Sequence, residues 1–444
     1  MSGNRENFGS RAAVIMAMAG SAIGLGNIWR FPYMVGEHGG AVFLILYLIA
    51  TVLISLPVFI AEITLGRRSR QGAYSALSTL DPGRRIWKFT GILSIIVPLL
   101  IASYYSVIGG WSVDFLLRSC TASFIKADTE TVTSTFSTMV SSGWEPVVMH
   151  LLFLAVCSFV VALGVKSGIE KFSKISIPAL FVLIILIIAY SLTLPGSERG
   201  IKYLVEPDFS QINTKTMAYA LGQSFYSLSL GMGAIITYGS YVKKEEDIIV
   251  SGIGTAISDL VFALLAGFAI MPAVFAAGIK PDAGAGLIFQ SLPYIFSSMG
   301  EQMPLLSAIA SLVFFIAVVV AAMTSCISLI EVGVTFLIDR FNLSRKFSCF
   351  IIFLLCSALG VVCALSSNVL DGLDFLCSNI MLLILALFFV VFVGFVLKKE
   401  DVLDEVSNGA MLKKNVRLFN LIYFQIKWIA PIAILAILVT NFIF

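Results

Sequence analysis

Ala19-Gly20-Ser21-Ala22-Ile23-Gly24-Leu25-Gly26-Asn27-Ile28-Trp29-Arg30-Phe31-Pro32 puts three glycines into seven residues of a stretch otherwise apolar enough to cross a membrane. Each glycine weakens a helix by roughly 1 kcal/mol relative to alanine. Inside lipid the freed backbone groups find no water, so such a break persists only where it lines a protein-enclosed site. Broken helices at mid-membrane are how many secondary transporters bind ions and small solutes. The stretch therefore points to solute transport.

The rest of the chain has the matching composition. Of 444 residues, 59% are hydrophobic and 12% charged, against about 25% charged in soluble domains. Eleven apolar runs long enough to span a bilayer are expected, at 11–37, 41–66, 88–118, 147–165, 172–194, 216–241, 248–278, 304–338, 347–366, 373–397 and 418–443. The fold class is thus an all-α polytopic membrane protein. With the N-terminus placed in the cytoplasm, all but seven of the 29 basic residues fall on the cytoplasmic side, the seven being Arg30, Arg118, Lys126, Arg199, Lys202, Lys215 and Lys280. This is the positive-inside pattern, and an odd number of spans leaves the C-terminus outside. The formal charge of +3 then reflects orientation in a lipid bilayer and not nucleic-acid binding. The early Arg and small residues suit a signal peptide, but the apolar stretch runs on through Asn27, Arg30 and Pro32 into a second helix. The seven cysteines lack metal-site spacing and read as packing residues, and neither His38 nor His150 belongs to an HExxH motif.

A second break mirrors the first. Gln223-Ser224-Phe225-Tyr226-Ser227-Leu228-Ser229-Leu230-Gly231-Met232-Gly233 interrupts the sixth run with two glycines and three serines. Five spans separate the two breaks, and an odd shift inverts the second unit relative to the first. The expected organisation is a cytoplasmic segment 1–10, a ten-helix core 11–397 with repeats at about 11–194 and 216–397, a cytoplasmic loop 398–417 and an eleventh helix 418–444. Residues 279–303, with Pro281 and Pro293 around Leu287-Ile288-Phe289, read as a re-entrant outer loop over the vestibule or as an ordered surface loop.

On Ala19 to Pro32, Tyr104-Tyr105, Ser227 to Gly233, Thr237-Tyr238, Ala321 to Ser325 and Asp371 to Phe375, the chain resembles the neurotransmitter:sodium symporter family over essentially residues 5–443. The resemblance implies a LeuT-like 5+5 inverted repeat with helices 1 and 6 broken. It also implies a sodium-coupled symporter of amino acids or amino-acid-derived amines, working by alternating access, and not an enzyme. Two Na⁺ sites are expected. The first takes the Ala22 carbonyl, Asn27, Ser227, Asp259 and the substrate carboxylate; the second takes carbonyls of Gly20, Ile23 and Ala321 with hydroxyls of Thr324 and Ser325. Hard cations prefer such oxygen sets. Taken alone, Thr324 and Ser325 also suit back-bonding to their own helix.

Asp259 departs from the LeuT-like pattern, which has asparagine there. A buried carboxylate facing sodium stays charged and supplies the negative charge that chloride brings in chloride-dependent relatives. Chloride-independent transport is therefore expected.

For an amino-acid zwitterion, the resemblance implies that the carboxylate meets the amides of Leu25 and Gly26, where the helix dipole is positive, and the Tyr105 hydroxyl. The ammonium meets carbonyls of Ala22, Tyr226 and Ser227 and the Ser229 hydroxyl. Ser21, Ile101, Tyr226, Ser229, Met232, Ser325, Ser328 and Leu329 line the side-chain subsite, which holds no charge and favours a neutral hydrophobic amino acid, aliphatic or aromatic. Arg30 and Asp374 form an external gate above Tyr105 and Tyr226, with Gln223 nearby, and Arg5 and Asp339 an internal gate near Tyr241. The Gly168–Pro178 spacing is the one some bacterial members use to unwind helix 5 toward the second sodium site, although Pro178 also suits a simple kink.

Asp259, Asp371 and Asp374 raise the alternative of an embedded hydrolase, and a channel is a further one; neither accounts for polarity gathered at two breaks. Short loops suggest a bacterial inner membrane, and no feature specifies an oligomeric state.

Overall fold

The computed structural model describes residues 6–126, 129–278, 288–289, 292–300 and 303–443. Among the described residues, nine helices are long and apolar enough to cross a membrane. They are span 2 (Ala41–Ser69), span 3 (Arg85–Cys120), span 4 (Glu145–Ala162), span 5 (Val165–Leu192), span 7 (Ile248–Ala276), span 8 (Pro304–Phe341), span 9 (Arg345–Leu365), span 10 (Ser367–Val396) and span 11 (Lys413–Asn441). Span 1 is a bent pair, Arg11–Ala22 and Gly26–Glu37, with 51° between its halves. Span 6 is split into Thr214–Ser227 and Ala234–Gly239. These account for the eleven expected crossings, with span 5 starting at Val165 rather than 172 and span 11 at Lys413 rather than 418.

Local chemistry sets each break. The Ser10 hydroxyl caps the first half of span 1 by accepting from Ala13 N–H at 3.3 Å. That half ends at Ala22, where Ile23 turns extended (φ −74°, ψ 100°). In span 6 the backbone enters the left-handed region at Ser229 (φ 54°), Gly231 (φ 75°) and Gly233 (φ 70°). Two of the three are glycines, for which this region carries no steric cost. A Cβ on Gly231 would also strike the Leu382 carbonyl of span 10.

Spans 3 and 8, 36 and 38 residues long, pack on each other at the centre, with spans 4, 5 and 9 around them. The first half of span 1 packs on spans 5, 7 and 8, and the second half of span 6 on span 2. Large apolar side chains such as Phe159, Ile175, Val182, Phe350 and Leu435 face outward, as lipid contact requires. The connection expected at 398–417 contains a helix, Lys399–Ser407. It is held by the buried Arg67 at the end of span 2, whose Nε donates to Glu405 Oε1 at 2.5 Å and whose Nη2 donates to the Glu405 carbonyl. Within 279–303, most of the expected re-entrant stretch lies outside the described residues. Phe289 is packed against Trp111, Phe115 and Phe136.

Candidate ion and substrate site

The two breaks face each other across a small cavity. It is lined by Ser21, Ala22, Gly26, Ile101, Tyr105, Tyr226, Ser229, Met232, Ser325, Ser328 and Leu329. Leu25 and Ser227 are not among its lining residues. Leu25 N–H donates to the Tyr105 hydroxyl at 3.0 Å, so two groups expected at a substrate carboxylate are already adjacent. The glycines here serve close approach: a Cβ on Gly24 would collide with Ser325 Oγ, and one on Gly26 would sit 3.0 Å from the Tyr226 ring. Within the wall, Ser21 Oγ donates to Ser328 Oγ at 2.8 Å, and Ser328 Oγ to the Ser325 carbonyl at 2.7 Å. The Ser229 and Ser325 hydroxyls both donate to the Ser21 carbonyl, at 2.8 and 3.1 Å.

Beside the cavity, the first expected ion site gathers around Asp259, which is fully buried. Its carboxylate accepts from Asn27 Nδ2 at 2.8 Å, Ser227 Oγ at 2.7 Å and Tyr47 OH at 3.3 Å. Asn27 Oδ1 accepts from Gly24 N–H at 3.3 Å, closing the break onto the same cluster. Ala22 is the last residue of its helix, where carbonyls lack intrahelical partners. The donor set of carbonyl, amide, hydroxyl and carboxylate oxygens fits a hard cation.

The second expected site joins spans 1 and 8. Thr324 Oγ1 reaches the Ile23 carbonyl at 2.9 Å and the Ala321 carbonyl at 2.8 Å. The reading of Thr324 as a mere back-bonding residue is therefore incomplete, because the same hydroxyl reaches across to the break. Ser325 Oγ turns instead to the Ser21 carbonyl. Gly20 packs against span 5, where a Cβ would sit 3.1 Å from Ser173 Oγ.

At one end of the cavity, Arg30 Nη1 donates to Gln223 Oε1 at 2.6 Å, and its guanidinium lies 4.8 Å from the Tyr226 ring centre. Arg30 and Asp374 both line an open vestibule above it. The nearest partner of Arg30 is thus Gln223, while Asp374 Oδ1 accepts from Ser378 Oγ at 2.9 Å. At the opposite end, Arg5 lies outside the described residues. Asp339 Oδ2 accepts from Gly72 N–H at 3.1 Å. Tyr241 is directed to Glu331 Oε1 at 2.6 Å and Thr335 Oγ1 at 2.7 Å. Span 5 is helical through both Gly168 and Pro178, opening with a widened turn at Val165–Glu170.

Sequence reasoning missed four groups. Tyr47 joins the Asp259 cluster. Glu62, fully buried in span 2, accepts from Gly231 N–H at 2.8 Å and so pins the unwound part of span 6. Glu331 and Arg345 form a buried ion pair below Tyr241. An acidic residue in an apolar run is the signal that was available for Glu62 and Glu331.

Two broken helices, a cavity between them and oxygen clusters beside it define a secondary transporter of the inverted-repeat class. Residues 5–138 and 121–444 match the Sodium:neurotransmitter symporter family, and the chain belongs to it. It is 34% identical over 439 residues to an uncharacterized sodium-dependent transporter of Bacillus subtilis, covering 96% of each chain. A Haemophilus influenzae sodium-dependent transporter is 33% identical over 458 residues, covering 98% of each. The sodium-dependent serotonin transporter of Drosophila melanogaster is 27% identical, covering 88% of this chain and 68% of its own. Among solved structures, MhsT in complex with L-phenylalanine aligns with a TM-score of 0.90 and 37% identity over 99% of this chain and 100% of that one. The protein is therefore a multi-pass, sodium-dependent membrane transporter of a small molecule and not an enzyme.

Proposed function

We propose that this transporter imports a neutral hydrophobic amino acid, aliphatic or aromatic, together with Na⁺ bound at two sites, without chloride. The observation that carries this reading is the cavity between the breaks. Its walls hold hydroxyls and backbone groups at one end and Ile101, Met232 and Leu329 elsewhere, with no charged side chain. A zwitterion needs both charges compensated in such a place. The amides after the first break, with Tyr105, suit a carboxylate, and the Ser229 hydroxyl with the Ala22, Tyr226 and Ser227 carbonyls suits an ammonium. The similar MhsT binds L-phenylalanine, a neutral hydrophobic amino acid of the proposed class.

In this reading the Asp259 cluster holds one sodium, beside the substrate carboxylate, and Asp259 supplies the charge that would otherwise come from an anion. The carbonyls of Gly20, Ile23 and Ala321 with Thr324 and Ser325 hold the other. Repeat one is residues 11–194 and repeat two 216–397, with span 11 appended. The N-terminus is cytoplasmic, the Arg30 end faces outward, and the membrane is a bacterial inner membrane. Spans 1, 2, 6 and 7 rock against the rest of the bundle. Arg30, Gln223 and Asp374 close the outer side, and Arg5, Asp339 and Tyr241 the inner side. The test is uptake of a panel of labelled amino acids into liposomes containing the purified protein, under an inward sodium gradient or with potassium. Sodium-dependent accumulation of a hydrophobic amino acid is expected. Failure of every amino acid, with accumulation of an amine, would overturn the substrate reading.

A further inference from the structure

Lys427 stands halfway along span 11, where its charge would lie at the middle of the bilayer if all of Lys413–Asn441 crossed it. A charge at that depth is costly. The packing against span 10 sets a different depth. A Cβ on Gly394 would sit 3.0 Å from Lys427 Cα and 3.3 Å from Lys427 Cβ. Gly394 belongs to the last turn of span 10, which ends where Leu397 becomes extended (φ −69°, ψ 144°). This places Lys427 at the membrane boundary, on the side opposite the Arg30 end. The preceding helix, Lys413–Phe424, then lies outside the apolar layer, as its exposed Lys413, Lys414 and Arg417 require.

Both helices widen at this point, span 10 at Phe392–Val396 and span 11 at Gln425–Ile429, and the two turns pack on each other. Widened turns of this kind often mark functional sites. The Tyr423 hydroxyl ties them by donating to the Gly394 carbonyl at 3.0 Å. Around that ring stand two ammoniums. Lys427 Nζ is 5.0 Å from the Phe395 ring centre and 5.8 Å from those of Tyr423 and Trp428. Lys399 Nζ is 5.7 Å from Tyr423 and 5.9 Å from Phe419.

Ring faces attract these cations but do not neutralise them. The carboxylates of the connecting helix go elsewhere: Asp401 pairs with Arg68 at 2.9 Å and Glu405 with Arg67 at 2.5 Å. Among the described residues, neither Lys399 nor Lys427 has a carboxylate partner. Next to the ammoniums, Phe395, Phe424 and Trp428 are about half exposed, where aromatic rings meet the headgroup level of a bilayer.

We propose that Lys399 and Lys427, gathered at the Tyr423 ring, bind the phosphate of an acidic phospholipid, with its acyl chains over Phe395, Phe424 and Trp428. Two ammoniums with no carboxylate favour a headgroup of net negative charge. A zwitterionic lipid would bring its own ammonium to the same place and be repelled.

The test is quenching of Trp428 fluorescence by lipids with brominated acyl chains, on the full-length protein in phosphatidylcholine bilayers. The signal lost in Trp428→Phe separates this residue from the other tryptophans. Brominated phosphatidylglycerol should occupy the site in preference to brominated phosphatidylcholine. Lys399→Gln and Lys427→Gln should each lower that preference about fivefold, whereas Lys427→Arg should keep it. Replacing both Lys413 and Lys414 by Gln removes two charges of the same helix outside the ring frame, and should leave the preference unchanged. Equal quenching of the wild type by the two lipids would overturn the proposal. An equal fall on replacing Lys413 and Lys414 would also overturn it, by showing diffuse attraction to a basic surface. Excess inorganic phosphate should have no effect; if it abolishes the preference, the site takes free phosphate and the lipid assignment falls.

Discussion

Replacing Asp259 by asparagine isolates the charge of the first ion cluster while keeping its shape. The carboxylate accepts three bonds, from Asn27, Ser227 and Tyr47, at 2.8, 2.7 and 3.3 Å. Two of these donors are hydroxyls that can turn, so an amide oxygen can keep most of the network. That part costs about 1–3 kcal/mol if one buried donor is left unpaired. The electrostatic part is of similar size. A unit charge about 4 Å from a cation contributes about 4 kcal/mol at an effective dielectric of about 20. Relaxation and water entry halve this, leaving about 2 kcal/mol, or roughly a 30-fold loss of sodium affinity. The assay is sodium-dependent substrate binding to purified protein, titrated in chloride and in gluconate. The wild type should be indifferent to the anion. The variant should bind sodium roughly 30-fold more weakly in gluconate and recover part of the loss in chloride. A wild type that fails in gluconate, or a variant with wild-type sodium affinity there, refutes the reasoning.

Thr324→Ala removes the hydroxyl shared by the Ile23 and Ala321 carbonyls; the sodium concentration for half-maximal uptake should rise about tenfold, with thermal unfolding little changed. Gly26→Ala places a methyl 3.0 Å from the Tyr226 ring, and substrate affinity, measured by equilibrium binding, should fall while size-exclusion profiles stay unaltered. His38, in the turn between spans 1 and 2, is held down to about 4, by burial first and then by the charges of Lys215 and Arg30. Its folded form stays neutral while the unfolded chain takes up a proton. Its contribution is therefore undiminished above about pH 6.5 and is lost as the pH falls toward 4. The unfolding temperature should drop over that window, and the drop should shrink in His38→Asn.

The breaks were legible in sequence because glycine and serine inside an apolar run have few other uses, and the spans because length and hydropathy suffice. Hydroxyl positions such as Ser21, Thr324 and Ser325 could be named only through the family resemblance, because serine and threonine inside an apolar helix equally suit bonding to their own backbone. The partners of buried carboxylates were not legible. Glu62 ends on the amide of Gly231 and Glu170 on that of Gly9, residues 169 and 161 positions distant, and every residue except proline offers the same amide. Nor could sequence choose between Gln223 and Asp374 as the immediate partner of Arg30, since both lie within reach of one long side chain and packing decides.

The carbonyl of Ser21 takes one hydroxyl from Ser229 on span 6 and another from Ser325 on span 8. A carbonyl oxygen has two lone pairs, and here each is served by a different helix. If span 1 turns with span 6 and away from span 8, the oxygen gives up one donor and keeps the other; turning the opposite way, it makes the opposite exchange. Neither direction strips it bare, so the cost of about 1–3 kcal/mol for an orphaned buried acceptor is avoided. In the rocking motion proposed above, one atom at the end of the first half-helix would serve as a bearing, letting the bundle swivel without a dry point in its path.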